Sequence, residues 1–146
     1  MNNRTKGIAF EQYVRQILES NGIITQSTIA SNDYGADILF DYQGYRFVVQ
    51  CKCLSGAAGI KPVQEVIGAI SYYHAHYGIV VTNTFYTQQA SNLAYSTGVL
   101  LVDSAGLTSI KSLIDHFFFS NIYLENQEAP MEDWTIKDLM GRYKVS

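Results

Sequence analysis

The sequence predicts an α/β domain built on one mixed β-sheet with helices on both faces. Three observations carry that expectation. Residues 6–21 have the period of an amphipathic helix, with Phe10, Tyr13, Val14, Ile17 and Leu18 on one stripe. Two β-branched and aromatic runs meet at Gln43-Gly44, the signature of a hairpin. Beyond residue 60, helix and strand patterns alternate, which requires crossovers and parallel pairing.

The elements follow in order. Asn21-Gly22 ends the first helix, because glycine accepts the left-handed conformation there without strain. Ile23–Ile29 reads as a strand and Ser31–Gly35 as a turn. Ala36–Tyr42 and Tyr45–Cys53 form the hairpin, and Gly56-Ala57-Ala58-Gly59 is a loop. Pro62 suits the first turn of a second helix, which the pattern extends to about Tyr77 with Val63, Val66, Ile67, Ile70 and His74 on its stripe. Gly78–Thr82 is a short apolar strand, Thr87–Thr97 a helix closed by Gly98, and Val99–Val102 another buried strand. A helix from about Leu107 to Phe118 completes a domain over residues 1–119. Residues 120–146 form an extension. In it, Asn121–Met131 reads as irregular, and Trp134–Leu139 as a short helix with Thr135 as its N-cap.

Composition bounds the function. The 146 residues are 47% apolar and 13% aromatic, enough for one compact domain with a sizeable core. No charged start followed by an apolar stretch is present, and no apolar run approaches the roughly 20 residues that cross a bilayer. The chain therefore reads as cytoplasmic, with no membrane partner. A net charge of −3 argues against a general nucleic-acid coating protein. Glu125, Glu128, Glu132, Asp133 and Asp138 crowd the C-terminal segment, however, and leave the rest nearly neutral. Cys51 and Cys53 are too close for an ordinary disulfide and too few for a zinc site, and read as small core residues. His74, on an apolar helical stripe, reads as a satisfied core histidine rather than a ligand, and His76 and His116 have no acidic or cysteine partner at metal-binding spacing.

Chemistry concentrates at three places. Asp33-Tyr34-Gly35-Ala36-Asp37 sets a carboxylate at the head of a strand, where a cation can be held. In Val48-Val49-Gln50-Cys51-Lys52, alternation puts Val48, Gln50 and Lys52 on one face. A lysine in so apolar a strand requires anionic partners. The Gln43-Gly44 turn brings Asp37 beside Gln50 and Lys52. Carboxylate and amide oxygens suit a hard cation such as Mg²⁺, and the lysine can orient or help deprotonate a water. Glu11 borders the apolar stripe of the first helix and can reach inward over the sheet, and Gln64 lies at the stripe's edge on the second helix.

These motifs resemble, in order, those of the Mrr-like restriction endonuclease catalytic domain of the PD-(D/E)XK nuclease superfamily. They are Gly7-Ile8-Ala9-Phe10-Glu11, Asp33–Asp37 and Gln50-Cys51-Lys52, continued by Val63–Ala69, Gly78–Asn83 and Leu100–Asp103 with Leu107. The resemblance covers about residues 6–115 and implies a restriction-endonuclease-like fold and Mg²⁺-dependent hydrolysis of DNA, with Mn²⁺ as a possible substitute. It implies that Asp37, Gln50 and Glu11, with the main-chain carbonyl of Cys51, hold the metal. Lys52 is then the catalytic lysine, and Gln64 and Asp33 meet the substrate. Gln50 stands where the wider superfamily has an acid, a position at which Mrr-like domains commonly accept glutamine. No added DNA-reading domain is evident, so target choice stays open, with a homodimer or a separate recognition subunit as expected partners. Two other readings remain: a structure-specific nuclease resembling Holliday-junction resolvases, and a non-catalytic DNA-binding or assembly module of the same fold.

Overall fold

The computed structural model describes residues 2–28 and 34–128. Its sheet has five strands in spatial order β1 to β5: Thr25–Ser27, Ile38–Tyr42, Tyr45–Lys52, Tyr77–Thr82 and Val99–Val102. The helices are α1 (Asn3–Ser20), α2 (Ile60–Tyr72), α3 (Gln88–Thr97) and α4 (Ile110–Glu128), with a 3₁₀ turn at Leu107–Ser109 before α4. β1, β2 and β3 pair antiparallel, whereas β3, β4 and β5 pair parallel. The expected mixed sheet is what forms.

The hairpin has the expected turn, with Gln43 at φ 54° and Gly44 at φ 83°. Two consecutive positive φ values match the twist of the flanking strands. Phe40 and Phe47 sit opposite each other and stack with centroids 4.8 Å apart. The two crossovers, β3–α2–β4 and β4–α3–β5, step in one direction across the sheet. Right-handed connections therefore place α2 and α3 on the same face. There Val63, Val66, Ala69, Ala90 and Ala94 pack over Val48, Val80 and Val99 in one buried cluster. On the opposite face α1 crosses β1 and β3, burying Phe10, Val14 and Leu18. The start of α4 lies there too, with Lys111 Nζ 5.3 Å from the centre of the Tyr42 ring.

Several boundaries differ from the expectation. α1 begins three residues earlier because Asn2 caps it, its side chain accepting from the Thr5 N–H at 2.8 Å. Tyr13 lies outside the buried stripe, 48% exposed. The first strand shrinks to Thr25–Ser27. α2 stops at Tyr72 instead of Tyr77, because His74 takes a left-handed φ of 53° and the Ala75 N–H returns to the Ile70 carbonyl. His74 is thus beyond the helical stripe. Histidine does this job without the glycine that marks such an end in sequence, as Gly98 does for α3 at φ 72°. α4 continues to Glu128, where an irregular segment was expected from Asn121.

The chain divides into two compact units at Ile114 and Asp115. In the second, the α4 residues Asp115, His116, Phe119, Ser120, Tyr123 and Leu124 line a shallow, mainly apolar groove. The expected helix at Trp134–Leu139 lies outside the described residues. Among the described residues no helix is long and apolar enough to cross a membrane.

Candidate active site

The site assembles where β2 begins and β3 ends. Asp37 directly precedes β2, one step beyond the Ile38–Val49 pair, so it stands opposite Gln50. Its main chain is pinned on both sides. The Asp37 N–H donates to the Val49 carbonyl at 2.8 Å, and its own carbonyl accepts from the Thr28 N–H at 3.0 Å. Its side chain is oriented as well, with Oδ2 accepting from the Cys51 N–H at 2.8 Å. Val49 and Cys51 both turn main-chain groups toward β2, so the Cys51 carbonyl lies on Asp37's side of the strand.

Gln50 is a buried polar residue, 5% exposed. Its amide satisfies its surroundings with Nε2 toward Asp37 Oδ2 and the Gly35 carbonyl oxygen, 3.2 Å from each. The reverse orientation sets Oε1 against two acceptors, which only a cation among them makes favourable. Gly35 has its own reason to be glycine. It sits at φ +85°, and a Cβ there would lie 2.0 Å from the Glu65 carbonyl oxygen. The loop carrying Asp37 is therefore packed directly on the backbone of α2.

Glu11 arrives from α1, half-buried, with Oε1 accepting from the Ser27 hydroxyl at 3.1 Å. Burial, and then the charge of Asp37, raise its carboxyl above the ordinary value, outweighing Ser27 and Arg15. Burial first, then Asp37 and Glu11, push the Cys51 thiol well up. Two carboxylates thus repel across a small space, which a bound cation would relieve. Among the described residues no group of three or more His, Cys, Asp and Glu gathers around a common point. Two carboxylates, an amide oxygen in its reverse orientation and a main-chain carbonyl could serve as donors to a cation here. Such an oxygen set would suit a hard divalent cation. Cys51, held as a thiol, is a poor sulfur ligand.

Lys52 points to the α2 side, as alternation along β3 requires. Its Nζ lies 3.3 Å from Glu65 Oε1. The contact is an ion pair without hydrogen-bond geometry, because the same buried oxygen has no hydrogen-bond partner. The end of β3 is fixed from the neighbouring strand. The Thr82 hydroxyl donates to the Lys52 carbonyl at 2.9 Å, and the Asn83 amide clasps both the N–H and the carbonyl of Leu54. Asp37, Gln50 and Glu11 thus come together where β2 begins and β3 ends, and Lys52 extends from the same strand end. Gln64 is exposed on α2, and Asp33 lies outside the described residues. Glu65 is the residue the sequence reading missed. The requirement of Lys52 for an anion was visible, but its source depended on α2 crossing back over β3.

With this geometry in view, the restriction endonuclease family model of the Mrr catalytic domain matches residues 3–110. The chain belongs to that family. The match contains Glu11, Asp37, Gln50, Lys52 and Glu65. A solved structure with a TM-score above 0.5 shares the fold. The protein of unknown function AF1548 superposes with a TM-score of 0.56 at 18% identity, over 64% of this chain and 55% of its own. The MspJI restriction endonuclease, solved in complex with a 27-mer oligonucleotide, superposes with a TM-score of 0.49 at 19% identity, over 68% of this chain and 26% of its own. The chain thus spans about half the length of the first and a quarter of the second. No curated protein matches the chain.

Proposed function

We propose that this restriction endonuclease domain is a divalent-cation-dependent endodeoxyribonuclease that hydrolyses DNA phosphodiesters, with Mg²⁺ as its ion and Mn²⁺ as a substitute. The observation that carries the reading is the meeting of Asp37, Glu11 and Gln50 at the end of the strand that also bears Lys52. Asp37 and Glu11, helped by the Gln50 amide oxygen and the Cys51 carbonyl, would hold the cation. When bound, it supplies Lewis acidity and offsets charge on the phosphoryl oxygens. The Cys51 N–H keeps the Asp37 carboxylate aimed, joined by the Gln50 amide N–H when no cation is bound. Lys52 donates a hydrogen bond to the attacking water and orients it toward phosphorus. Gln64, exposed beside Glu65, and Asp33 are the proposed substrate contacts.

Two copies would supply one site for each strand of a duplex. The exposed Phe119, Tyr123 and Leu124 of α4 support a homodimer, which sedimentation of the purified chain tests. A separate recognition subunit is the other source of target choice.

The test incubates the purified chain with linear, branched, methylated and unmodified DNA, with Mg²⁺ or Mn²⁺ and with chelator. Cleavage should require the cation and fall by a factor of about 10³ or more in Asp37→Asn and in Lys52→Met. Preference for branched DNA would identify a resolvase-like nuclease. If both variants cut as fast as the unaltered chain, the assigned site is wrong. If no form is cut but DNA is bound, the fold serves as a binding module.

A further inference from the structure

We infer that Glu65 is a positioning residue that holds the Lys52 ammonium group at the site, an inference that rests on the reading of Lys52 as the water-orienting lysine. Three observations converge on it. The Glu65 Oε1 atom is buried without a hydrogen bond, and Lys52 Nζ stands 3.3 Å away. A carboxylate oxygen left so is costly unless a cation faces it. The side chains of Lys52 and Glu65 are only 29% and 21% exposed, so water does little of that work.

The second observation concerns where Glu65 stands. Its carbonyl oxygen occupies the space a Gly35 side chain would need, and the Gly35 carbonyl in turn accepts from the Gln50 amide. Helix α2, the Asp37 loop and strand β3 therefore keep one spacing, and Glu65 is carried on the rigid part of that contact.

The third is the mobility of lysine itself. Its ammonium is a point charge on a four-carbon stem with many rotamers, and it has no planar fork to fix direction. A fixed anion on the α2 side restricts that freedom and gives Nζ one direction.

The test uses the whole chain in two variants, Glu65→Gln, which keeps the shape without the charge, and Glu65→Asp, which keeps the charge. Single-turnover cleavage with Mg²⁺ is compared with DNA affinity in Ca²⁺. Reductive methylation of Lys52 by formaldehyde, quantified by peptide mass spectrometry, reports the ammonium group without reference to cleavage. Glu65→Gln should slow cleavage roughly tenfold to a hundredfold, as misplacement of a reacting group does, with DNA affinity changed less than about twofold. Lys52 should be methylated at least about threefold faster, because its amine is no longer tied in the pair. Glu65→Asp should recover part of both, and it serves alone should Glu65→Gln fail to fold. Unchanged labelling and unchanged cleavage in an active enzyme overturn this inference only, as does a Glu65→Asp variant no better than Glu65→Gln. Faster labelling with a wild-type chain that cuts no DNA overturns the nuclease reading, and the positioning role with it.

Discussion

Replacing Gly35 by alanine should be among the most damaging single-methyl changes in this protein, and a matched control isolates why. Gly35 and Gly44 share the left-handed backbone, at φ +85° and +83°. Alanine at either pays the conformational penalty of that region, about 1–2 kcal/mol. The two differ in surroundings. Nothing lies within 4 Å of a Cβ added at Gly44, whereas at Gly35 it meets the Glu65 carbonyl oxygen at 2.0 Å. A carbon needs about 3.3 Å from such an oxygen, so the loop or helix must retreat by roughly 1.3 Å. Neither moves cheaply. The loop is tied to β3 through Asp37 and Gln50, and α2 is seated by the fully buried Val63 and Val66. Overpacking of this kind costs about 1–3 kcal/mol beyond the backbone term. Urea denaturation should therefore show Gly44→Ala losing about 1–2 kcal/mol and Gly35→Ala about 2–5 kcal/mol. At this chain length the difference between them is several degrees in Tm. Equal losses in the two variants would refute the claim that the loop is seated on the Glu65 backbone.

Other predictions follow from the same geometry. Burial and Asp37 raise the Glu11 carboxyl, so the folded chain holds that proton more tightly than the unfolded chain does. Ionised Glu11 therefore opposes folding increasingly as pH climbs above its ordinary value of 4.5, and not at lower pH. Glu11→Gln should raise Tm near pH 7 and lose that gain near pH 3, and a gain independent of pH would contradict the assignment. Mg²⁺ should raise the Tm of the unaltered chain, by about 2.7 kcal/mol of stability at a hundredfold excess over its Kd. Asp37→Asn should abolish that rise, and calorimetry with and without the ion checks it. The Tyr86 hydroxyl lies 2.9 Å from the carbonyl oxygens of both Val80 and Val102, tying β4 to β5. Tyr86→Phe should cost about 1–2 kcal/mol in chemical denaturation. DNA affinity should fall steeply with salt, with a log–log slope of about −3 or steeper if four or more phosphates are contacted. A flat response would remove DNA as the ligand.

What could be read in the chain was whatever depends on local periodicity and local chemistry. Alternation along β3 was sufficient to place Gln50 and Lys52 on one face, since side chains of a strand alternate whatever surrounds it. The Gln43-Gly44 turn set the hairpin register, and that register carried Asp37 to Gln50. Glu11 was legible as an inward-reaching acid, because helical geometry fixes its angle to the buried stripe. Where local signals failed, the deciding interaction was distant. No residue type announces that His74 will take the left-handed end of α2, and the weak periodicity after Asn121 hid the helical course of α4.

By itself the sequence determined the mixed α/β architecture, the strand that carries Gln50 and Lys52, and the carboxylate brought beside it. Each follows from a period or a turn spanning a few residues. Only the tertiary structure decided the partner of Lys52 and the reason Gly35 must lack a side chain. Both answers are Glu65, through its carboxylate in one case and its carbonyl in the other. They arise because a right-handed crossover lays α2 back over β3, and that meeting of distant segments leaves no trace in local spacing.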